Sequence, residues 1–254
     1  MARVPDAPEN ALPDDLRPLY HKFAGNDGDF TNQLRVVAHS PDAFRHLYGL
    51  IDAWRDHGSL PGPLVEIAVV TASRVNDCAY CVGHHGTALI RLGLDADTVE
   101  RILDDAPPGL DELDRLVRDY ARLVTERAWG VRDKVIADLK KHFSDRQIVE
   151  LTIRIGLCIL FNKLNQALEI GMEDSVAADA AKKNVRLSGK APEVQRPRRV
   201  DEGDGRAGES QRVGPVADDE RDVPLGHGAR SGSPCRRSGP SPRPSSSPCG
   251  GPSG

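Results

Sequence analysis

Residues 66–85 read EIAVVTASRVNDCAYCVGHH, an apolar run followed by two cysteines and two histidines. Apolar residues recur at helical spacing on both sides of Asn76 and Asp77, which are good N-cap residues. The pattern predicts one helix before these two residues and a second helix after them. A chain reversal at this point lets the two helices pack side by side, whereas one unbroken helix would hold Glu66 and Cys78 ~18 Å apart.

Cys78 and Cys81 fall in the first turn of the second helix, which we expect to end at Gly93. Free N–H groups at a helix start favour a thiolate, the reactive form of cysteine, but contribute only ~0.3–1 kcal/mol. Moving a thiol pKa from ~8.5 to about 7 requires roughly 2 kcal/mol, so a nearby base is also needed. His85 is placed for this role, because it follows Cys81 by four residues and shares a helix face with it. Glu66 can face His85 only if the chain reverses between the two helices.

The same residue types also occur in zinc sites, where His84 and His85 would supply nitrogen ligands. Two cysteines and two histidines packed into eight residues of one helix give poor tetrahedral geometry, and no second CxxC or HxxxH pattern occurs in the chain. We therefore expect no metal. His84 is interpreted as a surface residue or a residue behind the site, and not as a catalytic group.

A glutamate, eleven residues, CxxC, three residues and a histidine form the signature that Glu66, Cys78, Cys81 and His85 match position for position. On these residues the chain resembles the alkylhydroperoxidase D branch of the carboxymuconolactone decarboxylase-like family. The resemblance extends over about residues 30–172 and includes the segments NQLRVVAHSPDAFRHL and FSDRQIVELTIRIGLCILFNKLNQAL. The decarboxylase branch lacks the cysteine pair, so the pair points to the thiol peroxidase side.

The resemblance implies an alkylhydroperoxidase-type oxidoreductase with a peroxide as acceptor. In the implied mechanism, Glu66 acts through His85 to draw the proton from Cys81, which attacks the peroxide. Cys78 then forms a disulfide with Cys81, and an external dithiol, protein or small molecule, reduces it. The implied chemistry needs no bound cofactor. Tyr80 stands where some members of the family carry a histidine.

Two other functions fit the same residues. A carboxymuconolactone decarboxylase-like enzyme acting on a lactone or β-keto acid would use His85 as acid or base, and the cysteines would be incidental. A redox sensor or adaptor would form the disulfide without turnover and would use the C-terminal residues to bind a partner.

Composition divides the 254 residues into three parts. All eleven aromatic residues lie at or before Phe161, and eight of the 19 prolines follow residue 200. Such a C-terminal segment cannot bury enough apolar area to offset the entropy of ordering it. We therefore predict a partly helical N-terminal segment at 1–29, an all-α domain at 30–186 and a disordered Gly/Pro/Ser-rich tail at 187–254.

The formal net charge of −4, with both signs mixed along the chain, gives no electrostatic basis for binding nucleic acid or a membrane. The N-terminal sequence MARVPDAPENALPDD lacks the apolar core of a signal peptide, and no stretch approaches the length of a transmembrane helix. We expect a cytoplasmic protein, in which a CxxC is more often redox-active than a permanent bridge.

Helical spacing continues through the rest of the folded region, and no segment shows clear strand alternation. The fold class is all-α, and with the resemblance it becomes a single-domain helical bundle of the alkylhydroperoxidase D type. Besides the helix that begins at the cysteines, the predicted helices cover residues 16–23, 41–57, 61–75, 95–106, 113–124, 131–142 and 144–168.

The helix that Ser144 caps is apolar on more than one face, so it is buried in the domain or against another subunit. The resemblance agrees with the second alternative and implies a homotrimer or hexamer. Within this helix we interpret Cys158 as an inert packed thiol. Asn162 and Asn165 need partners if buried, and we expect them to brace a neighbouring helix or to line the site.

Overall fold

The structure, a computed structural model, describes residues 2–24 and 30–187. In these residues the chain forms ten α-helices and no β-strand, which confirms the predicted all-α class. The helices are α1 (Arg17–Ala24), α2 (Thr31–Val37), α3 (Pro41–His57), α4 (Gly62–Val75), α5 (Ala79–Arg91), α6 (Ala96–Glu100), α7 (Glu112–Arg127), α8 (Asp133–Leu139), α9 (Asp145–Ala167) and α10 (Asp174–Lys182). The predicted disordered tail lies outside the described residues, except for Leu187, which packs against the main core.

Helix α4 lies at the centre of the main core and contacts α5, α7 and α9. It is apolar on most of its surface, and Ile67, Val70 and Ala72 are completely buried. Full burial of an aliphatic side chain of this size stabilises the fold by ~1.5–3 kcal/mol, so α4 is held firmly in place. Glu66 lies on this helix with 20% of its side chain exposed, and it therefore has a fixed position at the edge of the core.

The chain reverses between α4 and α5, as predicted, but the predicted cap is wrong. Asn76 ends α4, Asp77 adopts a left-handed conformation with φ 53°, and Cys78 is the N-cap residue of α5. The Cys78 N–H donates to the Ser73 carbonyl oxygen at 2.9 Å, and the Asp77 N–H donates to that of Arg74 at 3.1 Å. This pair of bonds is the Schellman motif, so the two polar residues finish the first helix instead of starting the second.

Most other helix boundaries follow the sequence signals. Helix α3 begins at Pro41 and is closed by Gly58, and α5 ends before Gly93, which adopts φ 105°. Helix α6 stops at Glu100, well before residue 106, the predicted end ahead of Pro107. Helices α2 and α10 were not predicted, because stretches of 7 and 9 residues carry too little periodicity to be recognised.

A second hydrophobic cluster joins the N-terminal residues to α2 and α3. It contains Leu12, Leu16, Tyr20, Phe23, Leu34, Phe44 and Tyr48. Packing of α1 against α3 brings the Phe23 ring to 5.2 Å from the Tyr48 ring, centroid to centroid. Phe23, from the N-terminal segment, also lines a cavity between the helices. No helix in the described part of the chain combines the length and apolarity needed to cross a membrane.

Candidate active site

The side-by-side packing of α4 and α5 brings Glu66 and His85 together. His85 Nδ1 lies 2.8 Å from Glu66 Oε2, and the two side chains are 24% and 20% exposed. With Nδ1–H donating to the carboxylate, His85 Nε2 carries the lone pair that can accept a proton. The sequence predicted this contact only if the chain reversed between the helices, and the reversal forms it.

A cavity of about 300 Å³ opens beside this pair. Glu66, His85 and Cys81 all line it, whereas Cys78 does not. The rest of the wall is mainly aromatic and aliphatic, with polar groups at a few points: Phe23, Phe30, Gln33, Tyr48, Ile51, Trp54, Arg55, Val65, Val69, Arg154, Leu157, Cys158 and Phe161. A largely apolar cavity with a few convergent polar groups is typical of a site for an organic ligand.

Both motif cysteines are free thiols, and both are almost completely buried. A hydrogen bond from the Cys81 side chain, together with its backbone N–H and the amides of Asn165 and Asn162, outweighs burial and lowers the pKa of Cys78 to about 7. The same interaction with Cys78, followed by burial, raises the pKa of Cys81. These hydrogen bonds, that from the Cys81 side chain first, favour the thiolate at Cys78, whereas the sequence argument assigned the activated thiol to Cys81.

A chain of buried hydrogen bonds leads from the cavity wall to Cys81. The Tyr48 hydroxyl donates to Gln33 Oε1 at 3.1 Å, and Gln33 Nε2 donates to Asn165 Oδ1 at 3.0 Å. Asn165 Nδ2 in turn donates to Cys81 Sγ at 3.3 Å. Each amide accepts through its oxygen and donates through its nitrogen, so the chain ends with an N–H directed at the sulfur. Sequence reasoning missed Gln33, because it lies on the short α2.

Asn162 braces the turn that holds the cysteines, one of its two predicted roles. Its Oδ1 accepts from Asn76 Nδ2 at 2.9 Å, and its Nδ2 donates to Ser73 Oγ at 3.3 Å. Cys158 lies one helical turn before it and is buried, as predicted. Burial raises the pKa of Cys158 to about 12, so this thiol stays protonated at neutral pH.

His84 is buried, so of the two predicted places, the surface and a position behind the site, the structure supports the second. Its Nε2 is 2.8 Å from Glu173 Oε2, and the Tyr80 hydroxyl donates to Glu173 Oε1 at 2.8 Å. Burial raises the pKa of Glu173, but hydrogen bonds from His84 and the Asn32 backbone N–H outweigh it, and the net shift is downward. Phe30 stacks on His84 with a centroid distance of 4.1 Å. These contacts fasten the segment before α10 to α2 and α5.

Within residues 2–24 and 30–187, no three His, Cys, Asp or Glu side chains are grouped so that they could hold a metal ion. The residues that the sequence singled out as zinc ligands instead have separate partners. His85 pairs with Glu66, and His84 pairs with Glu173.

Comparison with known protein families finds a match to one part of the chain. Residues 41–109, which include the whole motif, match the carboxymuconolactone decarboxylase family. No protein with a curated function matches the chain in sequence.

Solved structures share the fold over most of the described chain. An uncharacterised peroxidase-related protein from Ralstonia eutropha JMP134, with an alkylhydroperoxidase AhpD core, is 25% identical, with a TM-score of 0.62 over 69% of this chain and 94% of that one. A peroxidase-related protein from Silicibacter sp. TM1040 is 22% identical, with a TM-score of 0.58 over 68% and 92%. The debrominase Bmp8, bound to 2,3,4-tribromopyrrole, is 18% identical, with a TM-score of 0.56 over 66% and 91%. Residues 41–109 thus match the carboxymuconolactone decarboxylase family, and the fold is similar to that of an alkylhydroperoxidase AhpD core in a peroxidase-related protein.

Proposed function

We propose that this protein is a thiol-dependent oxidoreductase that reduces a small-molecule peroxide. Cys81 attacks the peroxide, Cys78 resolves the product, and Glu66 with His85 forms the proton relay. The observation that carries the proposal is that Cys81, His85 and Glu66 line one cavity, with His85 already bonded to the carboxylate. The peroxidase-related fold supports it.

In the first half of the proposed cycle, His85 Nε2 takes the proton of the Cys81 thiol, and Glu66 stabilises the resulting imidazolium. The Cys81 thiolate attacks one peroxide oxygen, and an S–O bond forms as the O–O bond breaks. The leaving alkoxide takes the proton back from His85 and departs as an alcohol. The sulfur is oxidised by two electrons to a sulfenic acid, and the peroxide is reduced by the same two electrons.

In the second half, Cys78 attacks the Cys81 sulfur, and the sulfenic oxygen leaves as water once it has been protonated. Cys78 is the N-cap residue of α5, where the free N–H groups of the helix start favour the thiolate that this step needs. An external dithiol then reduces the disulfide and returns both electrons. Because this cycle requires a pool of reduced dithiol, the proposal includes a cytoplasmic location.

Peroxide-dependent oxidation of a dithiol such as dihydrolipoamide tests the proposal. We expect turnover by the wild-type protein, loss of turnover in Cys81→Ser and Cys78→Ser, and at least about a hundredfold loss in Glu66→Gln and His85→Asn. His142→Asn, which changes an exposed histidine, is the control for the relay variants, and Cys235→Ser is the control for the thiols. Absence of turnover with several peroxides, despite ready formation of the disulfide, would reject the proposal and favour the redox sensor.

A decarboxylase-like reaction is the second candidate, because the matched family carries that name. In that reaction His85 would transfer a proton to or from a carbon acid bound in the same cavity, and the thiols would take no part. A Cys78→Ser, Cys81→Ser double variant that retained full activity on a lactone or β-keto acid would establish this alternative.

A further inference from the structure

Two arginines line the cavity, and the charge of one of them is already compensated. Arg154 donates from Nε to Glu150 Oε1 at 2.9 Å, and its guanidinium lies 4.3 Å from the Trp54 ring centroid. Burial raises the pKa of Glu150, but hydrogen bonds from Ser59 and Arg154 outweigh it and hold this pKa below its usual value. Glu150 is therefore ionised at neutral pH, and the pair with Arg154 has no net charge.

Arg55 differs from Arg154 in its partners. Its guanidinium carbon lies 4.2 Å from the centroid of the Phe23 ring. In the described part of the chain, none of its N–H donors bonds to a protein acceptor and no carboxylate forms an ion pair with it. A guanidinium that lies over an aromatic ring occupies its flat face, while its N–H groups point outward at the edge. The edge of Arg55 is thus positioned and free to bind a planar anion.

The carboxylate on the cavity wall does not bind Arg55. Glu66 keeps its negative charge, because the His85 that donates to it is neutral, but no ion pair or hydrogen bond joins it to Arg55 within the described residues. The cavity therefore offers a mostly apolar interior, a thiol with a proton acceptor, and one guanidinium that no described carboxylate binds. A guanidinium fork matches the two oxygens of a carboxylate.

We infer that the cavity selects a compact amphipathic anion, an organic hydroperoxide that also carries a carboxylate, and that Arg55 binds the carboxylate. The inference rests on the proposed function, since it names the substrate class of the same site. The cavity volume of about 300 Å³ equals the volume that roughly ten water molecules occupy in liquid water. A molecule of about ten non-hydrogen atoms, such as octanoate, therefore fits.

Binding of an unreactive analogue tests the inference without any turnover. The full-length protein is titrated by calorimetry with octanoate and with octanamide, which has the same shape and no charge. We expect octanoate to bind about fivefold more tightly than octanamide, a modest factor because Arg55 is partly in water. Arg55→Gln should abolish this preference and leave octanamide binding unchanged, whereas Arg55→Lys should keep part of it.

Arg127→Gln, which removes an exposed arginine from the end of α7, should leave both affinities as they are. Trp54 lines the cavity, so its fluorescence can show whether octanoate binds there. In a Trp129→Phe background Trp54 is the chain's remaining tryptophan, and its fluorescence should change on binding. Equal affinities for octanoate and octanamide, or a preference that survives Arg55→Gln, would overturn the inference, as would failure of octanoate to bind. If octanoate binds through Arg55 but no peroxide is turned over, the proposed function fails while the anion site stands.

Discussion

The Cys78 thiol has the lower pKa of the pair, about 7, whereas the Cys81 thiol is the one that lines the cavity. Two thiols that share a hydrogen bond titrate as a unit, and the first proton lost leaves one negative charge on the pair. That charge rests on Cys78, which lies nearest the helix start, but a peroxide in the cavity meets Cys81. The attack therefore needs the remaining proton of Cys81 to be removed, which is the task proposed for His85.

Substituting each cysteine separately should distinguish their roles. Cys81→Ser should abolish peroxide consumption, because Cys78 does not line the cavity. Cys78→Ser should allow one fast oxidation and then leave a sulfenic acid on Cys81, because no second thiol resolves it. Dimedone labelling and mass spectrometry identify the modified residue. A sulfenic acid on Cys78 in the Cys81→Ser protein would reverse the assignment.

Asn165 should set the pH at which the pair becomes reactive. Its amide donates to Cys81 Sγ and helps to lower the pKa of Cys78, so its loss removes stabilisation of the thiolate. In Asn165→Leu the pKa of the pair should rise, and the pH profile of iodoacetamide alkylation should move to higher pH. At pH 7 the alkylation rate should fall roughly tenfold, the factor expected for a hydrogen bond to a charged group. Lys163→Leu, on the exposed side of the same helix, should leave the profile unchanged.

At the scale of helices, several of the ends were hard to place from the sequence because the residues that form them are not glycines. Helices α4, α9 and α10 each end with a left-handed residue that is not glycine, namely Asp77, Glu169 and Asn184. Sequence reading relies on glycine to mark such ends, and it succeeded at Gly93. The turn was correctly predicted at Asp77. However, Asp77 was expected to cap the start of the second helix, and it instead ends the first. The wrong cap in turn hid the N-cap position of Cys78.

The long helices made much of the candidate site predictable, whereas the short ones did not. Glu66, Cys81 and His85 lie on α4 and α5, whose spacing is clear enough to give their relative positions from sequence. Gln33 lies on α2, and Glu173 directly precedes α10. No periodicity marks either of these helices, and their side chains meet the motif only through long-range packing.

The turn between α4 and α5 depends on a buried amide in α9. Asn162 is completely buried and satisfies Asn76 and Ser73. Asn162→Ala would leave both groups short of a partner and open a small cavity, at a cost of about 2 kcal/mol. For a domain of this size we expect the Tm to fall by about 4–8 °C, as measured by circular dichroism. Lys163→Ala, at an exposed position next to it, should change the Tm by less than about 2 °C.

At the scale of the whole molecule, the C-terminal residues should contribute nothing to stability. Residues 188–254 lie outside the described part of the chain, and their composition predicts disorder. Leu187 contacts the core near Gly83, so the truncation should follow Leu187 and not precede it. The truncated protein should melt at the same temperature as the full chain. A fall of many degrees would show that these residues dock on the domain.

Helix α9 leaves an apolar stripe uncovered in the single chain. Val149, Ile153 and Leu160 lie along one side of the helix, with exposed fractions of 57%, 45% and 44%. Gly156 lies between them, and no atom of the described residues lies within 4 Å of the position where its Cβ would be. The sequence predicted a helix with more apolar faces than one layer of neighbours can cover, and this stripe is the uncovered face.

Apolar area left in water costs about 25 cal/mol per Å², so a contiguous stripe of this kind favours association with another copy of the chain. The flat position at Gly156 would allow a second helix to approach closely. We therefore predict a homo-oligomer, a trimer or hexamer, with α9 at the contact.

Light scattering at micromolar concentration should give a multiple of the 27.6 kDa chain mass. Ile153→Glu places a charge in the stripe and should shift the protein to a monomer, whereas Lys182→Glu, at an exposed position on α10, should not. A wild-type protein that is monodisperse at 27.6 kDa would refute the prediction, and the stripe would then need another partner.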